Sequence, residues 1–348
     1  MSHFDCVVFD IGGTTMRSGV FTASRRLLKP VLSRPSPSFL SYPDASTARL
    51  QRLLLDCIFE TVEHLQSARR GRTLHHVGIA VPGPVTREGV IRNAPPLWGR
   101  GEKAMPLKAL VEKHLRVNCL VVNDMTAAAA RYASLERFRS HRLICVVTVS
   151  SGVGNKVFDV QTMEPLLDSK GISGELGHVS VSLPTGVDAC DCGKRGHLSA
   201  IASGRGAARF AQYKARTRPR GFSRSILSQW TNQDARRITA EHLAAGAKIG
   251  DRFVLSVLGE VTLPLAHALS VLVGSVGIEK IIIVGGFALG VGPPYLHALR
   301  SNWIRLGSFG RTSREIRDLL TLGIADDCSG LIGAGILVRA GARPSVLA

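Results

Sequence analysis

The first ten residues, MSHFDCVVFD, lack the basic region and long apolar core of a signal peptide. They read as the start of a folded domain. No apolar run is clean enough for a membrane span. The longest, Phe253 to Val276, is interrupted by Glu260, Pro264 and His267 and reads as a buried or interfacial helix. Cysteine is sparse, seven in 348 residues, which excludes a disulfide scaffold and points to a reducing cytoplasm. Cys6, Cys119 and Cys145 sit in β-type apolar runs and read as inert core. Acidic residues are in deficit, 26 against 44 Lys and Arg, for a net charge of +18. That charge admits a nucleic acid, a membrane surface or an anionic substrate as partner. No zinc-finger spacing, RNA-binding aromatic motif or basic helix supports nucleic acid. The best candidate patch, Arg205, Arg209, Lys214, Arg216, Arg218, Arg220 and Arg224, reads as solvated surface or a subunit contact.

What remains is an ordinary globular composition, 45% hydrophobic and 20% charged, in a chain long enough for two domains. Phe4 to Phe9 is an apolar run ending in Asp10, followed by Gly12-Gly13-Thr14-Thr15 and a second run near Met16 to Phe21: strand, glycine turn, return strand. Residues 30–43 read as a Pro/Ser loop, and Asp44 to Ser67 as an amphipathic helix. Val77 to Val81 is a strand ended by Pro82-Gly83-Pro84, and Leu120 to Val122 a strand ending in Asn123-Asp124 before an alanine-rich helix. The second half repeats the opening, with Leu143 to Val149, the turn Ser150-Ser151-Gly152-Val153-Gly154, and a further strand from Val157. Residues 183–197 form a Gly/Cys/charge-rich loop, and 205–225 an Arg-rich stretch that is loop-like or weakly helical. A buried strand, Lys280 to Val284, precedes Gly285-Gly286, and a small-residue helix runs from Gly330 to Arg339. The two strand–turn–strand units predict a duplicated α/β architecture around a central cleft.

Asp10 followed by glycines and Thr14 has a chemical rationale. Glycine lets backbone N–H groups approach a phosphate, threonine adds a donor, and the carboxylate can hold Mg²⁺ bridged to phosphates. A plain hairpin turn with a solvated Asp is the competing reading. No Gly-Lys-Ser/Thr follows, so this is not a Walker A loop, and no GxGxxG opens a helix. Ser151-Gly152 is a second candidate phosphate loop, and Gly285-Gly286-Phe287 would let an adenine or ribose sit against bare backbone; each alone is also an ordinary strand-end turn. Asp124, at a strand end, can serve as the base that a hydroxyl needs when it attacks a phosphate. Asn123-Asp124 can equally cap the following helix. His178, Cys190, Cys192 and His197 form a ligand set suited to tetrahedral Zn²⁺, against a metal-free thiol loop.

The order of these motifs resembles the sugar kinase/Hsp70/actin superfamily, and more closely the ROK family. The resemblance spans nearly the whole chain. It is carried by Asp10-Ile-Gly-Gly-Thr, Val81-Pro-Gly-Pro-Val, Asn123-Asp124, Gly174-Glu175-Leu-Gly177-His178, Cys190-Asp-Cys192-Gly-Lys-Arg-Gly196 and Val284-Gly-Gly. It implies two actin-like (ribonuclease H-like) α/β domains: residues 1–122 with a C-terminal helix of about 330–348, and residues 123–329. It implies an ATP- and Mg²⁺-dependent kinase, cytoplasmic and homodimeric, without a nucleic-acid or membrane partner. Asp124 is then the general base, and Asn123, Glu175, His178, Gly83 and Pro84 contact the acceptor. The nucleotide side is Asp10, Gly12, Gly13, Thr14, Thr15, Ser151, Gly152, Gly285, Gly286 and Phe287. His178, Cys190, Cys192 and His197 hold a structural zinc, with His197 where the family has a third cysteine.

The chain departs from the family pattern where acceptor hydroxyls are read. Ser199 stands in place of a glutamate, and Pro95-Pro96-Leu97 in place of Pro-Asn-Leu; Asn155 and Lys156 interrupt the usual glycine run of the second loop. Sites built to bind a hydroxyl discriminate strongly for it, so these losses argue against an ordinary hexose kinase. The ROK class that fits is the C7-cyclitol kinases of aminocyclitol biosynthesis, acting on the hydroxymethyl group of a carbasugar such as valienone, validone or an epi-valiolone. The alternatives are a glucokinase or N-acetylhexosamine kinase, and a non-catalytic sugar-binding regulator, against which the retention of Asp10, Thr14 and Asp124 counts. A sugar-sensing repressor would carry a helix-turn-helix ahead of the first strand, and a strand from Phe4 leaves no room for one.

Overall fold

In a computed structural model of the chain, residues 4–68, 74–99, 103–168, 170–181, 189–190 and 192–341 are described. The expected loop at 183–188 and 191, and the end of the C-terminal helix at 342–348, lie outside these residues, as does 1–3. The described residues form two five-stranded sheets. One contains β1 (Cys6–Ile11), β2 (Thr15–Phe21), β3 (Leu32–Pro35), β4 (His76–Val81) and β5 (Asn118–Asn123), in the order β3-β2-β1-β4-β5. The other contains β6 (Leu143–Val149), β7 (Val153–Asp159), β8 (Glu164–Pro165), β9 (Lys280–Val284) and β10 (Leu320–Leu322), in the order β10-β9-β6-β7-β8. Read from β8, the second order repeats the first strand for strand, which is the duplicated α/β architecture expected.

The chain divides into two compact units. Unit 1 comprises residues 1–140, 158–173 and 326–348, and unit 2 comprises 141–157 and 174–325. Residues 123–140 thus lie with unit 1 and not with unit 2, where residues 123–329 were expected to form one domain. The reason is packing: the helix Asp124–Ala133 lies against the C-terminal helix Ser329–Gly341, where a side chain on Gly333 would come within 1.7 Å of the Ala127 carbonyl oxygen.

In unit 1, β1 runs parallel to β4 and β4 to β5, while β1 and β2 are antiparallel. Strand alternation sorts β1 between two cores. Val7, Phe9 and Ile11 join Leu50, Leu54 and Ile58 of the helix Thr47–Ser67, while Cys6 and Val8 join Leu331, Ala334 and Val338 of the C-terminal helix. One expectation for this unit needs correction. The 30–43 segment contains β3, an edge strand with little buried apolar surface, where proline is tolerated. Pro95-Pro96-Leu97-Trp98 is a one-turn helix with proline at its start.

Unit 2 has one large core. Its centre is the helix Arg252–Val276, whose Val254, Val257, Leu258, Val261, Leu265 and Leu269 are buried against β6 and β9 residues such as Val147 and Ile283. This is the one helix among the described residues long and apolar enough to cross a membrane, and half of its most apolar window is buried inside the protein. The Arg-rich 205–225 stretch is not loop-like. Residues 204–217 form the regular helix Gly204–Thr217, capped by Ser203, which buries Ala207, Phe210, Ala211, Lys214 and Ala215. Two of its cations are engaged within the unit: buried Lys214 pairs with Glu260 and Ser256, and Arg205 donates to the Ser151 carbonyl at 2.9 Å.

Candidate functional site

The candidate residues fall into three clusters, one in unit 1 and two in unit 2. The first collects at the carboxyl ends of parallel strands, where ligands bind in open α/β sheets. Asp10 pairs with Ala80, and Asn123 with Val81. The Gly12–Thr14 turn is closed by Gly12 N–H donating to the Thr15 carbonyl at 2.9 Å, and Ser36 Oγ donates to the Gly12 carbonyl at 2.6 Å. Gly13 is packed so tightly on Pro96 that a Cβ would meet its carbonyl at 2.7 Å. Arg17 faces Asp10 across the hairpin. The start of the C-terminal helix closes on Asp10 as well, since a Cβ on Gly330 would lie 2.4 Å from the Asp10 carboxyl carbon.

This enclosure has an electrostatic consequence. Burial first, and then the Asp124 carboxylate, push the Asp10 carboxyl from its ordinary 3.8 up to about 7, with Arg17 pulling it back. The Asp124 carboxylate is thus close enough for its charge to be felt at Asp10. Asn123 caps the helix that Asp124 begins, as the second reading of that dipeptide expects. Its Oδ1 accepts from Met125 and Thr126 N–H at 3.0 and 3.3 Å. Its Nδ2 donates to the Gly83 carbonyl at 3.0 Å, tying the Pro82-Gly83-Pro84 turn to the strand end. Asp124 Oδ1 accepts from Met125 N–H at 2.7 Å.

The second cluster joins the two glycine turns of unit 2. Thr148 of β6 stands beside Val284 of β9, so the turns that follow them emerge together. Gly285 has φ +95°, and a Cβ there would meet Thr148 Oγ1 and the Val149 carbonyl, each at 2.6 Å. Ser150 N–H donates to the Gly152 carbonyl at 2.9 Å, and Gly204 N–H to the Ser150 carbonyl at 2.8 Å. Gly204 also abuts the Phe287 ring. Ser151, Gly152, Gly285, Gly286 and Phe287 therefore share one neighbourhood. Gly204 and Arg205 belong to it too and were not foreseen. The signal was available, in Ser203 as an N-cap before Ala207, Phe210, Ala211, Lys214 and Ala215 at helical spacing.

Asn155 and Lys156 do not interrupt this turn, because both lie within β7. Asn155 is buried and its Oδ1 accepts from Leu176 N–H at 3.2 Å. Its backbone N–H donates to the Gly174 carbonyl at 3.1 Å. Gly174 and Gly177 lie flat on β7, each with its would-be Cβ 1.9 Å from a strand carbonyl, of Asn155 and Val153 respectively. Ser199 closes on the same strand. Its Oγ accepts from Val153 N–H at 3.0 Å and donates to the Val153 carbonyl at 3.2 Å. The residue standing for a glutamate thus has its hydroxyl spent on backbone.

Glu175 and His178 flank the short 3₁₀ turn Leu176–His178, which leads into the third cluster. His178, Cys190, Cys192 and His197 bring their ligand atoms within 4.8 Å of one another. A tight turn, with Gly193 N–H donating to the Cys190 carbonyl at 2.9 Å, presents both thiols to one side. The Nδ1 atoms of the two histidines are 3.3 Å apart; Cys190 Sγ is 3.8 Å from His178 Nδ1 and Cys192 Sγ 3.2 Å from His197 Nδ1. A zinc tetrahedron with ordinary Zn–N and Zn–S lengths has edges of about 3.4–3.8 Å. The donor set therefore fits such an ion in type and number, and the three spacings given lie near those edges.

The family model described as the ROK family matches residues 6–340. A protein of Streptomyces hygroscopicus subsp. limoneus named C(7)-cyclitol 7-kinase is 37% identical over 338 residues, covering 97% of this chain and 94% of its own. The 2-epi-5-epi-valiolone 7-kinase of an Actinoplanes species is 31% identical over 353 residues, with coverage of 97% and 94%. Among solved structures, a ROK family glucokinase from Streptomyces griseus, crystallised with glucose and AMPPNP, superposes with a TM-score of 0.71 at 23% identity, covering 97% of this chain and 99% of its own. That likeness speaks for the fold.

Proposed function

Because the chain belongs to the ROK family, we propose that it is an ATP-dependent kinase that phosphorylates the hydroxymethyl group of a C7-cyclitol. The observation that carries the reading is the match to two cyclitol 7-kinases along almost the whole of both chains. The closed hydroxyl of Ser199 supports it, since the acceptor end that a hexose kinase would read with a carboxylate is left without one. A hexose kinase is the second reading, through sequence relatives of lower identity as well as the shared fold.

In this reading Asp124 takes the proton from the acceptor hydroxymethyl group as its oxygen attacks the γ-phosphorus. The bond to the β,γ-bridging oxygen breaks and ADP leaves. Asn123 orients a neighbouring acceptor hydroxyl through its second amide hydrogen, while its other contacts hold Gly83 and Pro84 in place. Asp10 would hold Mg²⁺, which when bound offsets phosphate charge. The Gly12–Thr15 turn, Ser151, Gly152 and the Gly285–Phe287 turn receive the nucleotide. His178, Cys190, Cys192 and His197 would hold a structural zinc. With Nδ1 of His178 turned into that cluster, its Nε2 is left for the acceptor beside Glu175. We further infer a cytoplasmic homodimer, whose contact would use Leu255, Val271 and Val276, large apolar residues exposed on the helix Arg252–Val276.

The test is a screen of valienone, validone, 2-epi-5-epi-valiolone, glucose and N-acetylmannosamine as acceptors with ATP. A cyclitol is expected to be preferred, and strong preference for glucose would overturn the acceptor assignment. Asp124→Asn is expected to abolish transfer while ATP still binds; near-normal turnover would remove Asp124 from its role.

A further inference from the structure

Two arginines and two consecutive aspartates of unit 1 form a chain of ion pairs that the proposed reaction does not use. Arg131 lies on the helix that Asp124 begins, and Arg17 stands across the hairpin ladder from Asp10. Their partners are Asp326 and Asp327, in the segment that leads into the helix Ser329–Gly341. Arg131 grips both oxygens of Asp326, at 2.6 and 2.5 Å, and also donates to Ser329 Oγ at 3.0 Å. Its side chain is 7% exposed and that of Asp326 37%. The Arg17–Asp327 pair is longer, 3.4 Å, and more open. Immediately after Ser329 comes Gly330, the residue whose Cα lies against the Asp10 carboxyl.

One short segment is thus tied both to the helix of Asp124, through Asp326 and Ser329, and to the strand facing Asp10, through Asp327. A bidentate guanidinium–carboxylate pair fixes orientation as well as distance, which a single contact does not. The pair is not needed simply to keep the C-terminal helix in place. Leu331, Ala334, Leu337 and Val338 bury that helix, and Gly333 seats it on Ala127.

We propose that Arg131–Asp326, with Arg17–Asp327 as its outer end, is a brace that sets the spacing of the Asp10 and Asp124 carboxylates. Arg131 and Asp326 are thereby positioning residues for phosphoryl transfer. This role rests on the kinase reading above, but the spacing itself does not.

Arg131→Lys keeps the charge and loses the fork, and Asp326→Asn keeps the shape and loses the charge. Each is expected to lower kcat per folded molecule by ~10- to 100-fold, the scale of a small misplacement of reacting groups. KM for ATP and acceptor should stay within about threefold, and the thermal midpoint near wild type. Because the two residues share one contact, the double variant should be no worse than the poorer single. Crystal structures of the variants should show the Asp10–Asp124 spacing changed. Unchanged kcat per folded molecule, or an unchanged spacing, would overturn the brace. If Arg131→Lys fails to fold, the more exposed Asp326→Asn decides the matter. If the wild type phosphorylates none of the acceptors, the kinase reading fails, and the crystallographic spacing alone decides the brace.

Discussion

Replacing Asp10 with Asn should make the metal-free protein more stable at neutral and alkaline pH while abolishing phosphoryl transfer. Asp10 is enclosed by Gly330 and lies near the Asp124 carboxylate, and its carboxyl is raised from 3.8 to about 7. A carboxyl that binds its proton more tightly when folded stabilises the fold below its unfolded value and loses that contribution as pH rises through the folded one. The penalty carried by the charged form is therefore absent near pH 4, grows to pH 7 and is complete above it. At about 1.4 kcal/mol per tenfold change in proton affinity, the full effect is at most ~4 kcal/mol. Asn keeps the shape and removes the charge. Urea unfolding of both proteins in EDTA, between pH 5 and 8.5, should give a gap that widens by up to about 1.4 kcal/mol per pH unit below 7 and then levels. Adding Mg²⁺ should narrow it, by stabilising only the protein with the carboxylate. An Asp10→Asn variant less stable than wild type at pH 8 in EDTA, or a gap that does not vary with pH, would refute the account of Asp10.

Two further outcomes test unit 2. Purified protein should carry about one zinc per chain, and its removal by a strong chelator should lower the thermal midpoint and weaken acceptor binding before ATP binding; protein without stoichiometric zinc would leave the Cys190–His197 turn as a bare thiol loop. Ser199→Ala removes one accepted and one donated hydrogen bond at Val153 and should cost about 1–3 kcal/mol in unfolding free energy with little change in acceptor KM. A large KM effect without loss of stability would show that Ser199 faces the acceptor after all.

The inner strands were legible because they are short runs of Val and Ile with turn residues at both ends. The edge strands β3, β8 and β10 were not, because a polar strand with Pro35 and strands of two and three residues have no apolar signature. The helix Gly204–Thr217 was hidden by its own arginines, which mask the apolar positions between them. At the candidate site, residue type was enough to pick out Asp10, Asn123-Asp124 and the Cys/His set, since each uses chemistry that few side chains possess. The places of Asn155 and Ser199 could not be read, because their partners are backbone groups distant in sequence, at Leu176 and Val153. The pairing of Arg131 with Asp326 was likewise invisible, since surface-type residues carry no mark of which ones become buried together.

The Cys/His knot and the glycine cradle of unit 2 are joined in series. His197 is both a member of the knot and the residue preceding the helix Leu198–Ala202, and Ser203, which follows it, caps the helix that begins at Gly204 against Ser150 and Phe287. One helical turn, pinned near its start by Ser199 to β7, leads along the chain from the knot to the cradle. The route along the chain from one to the other is thus only the five residues Leu198–Ala202, so the knot and the cradle share a single rigid element as their common border.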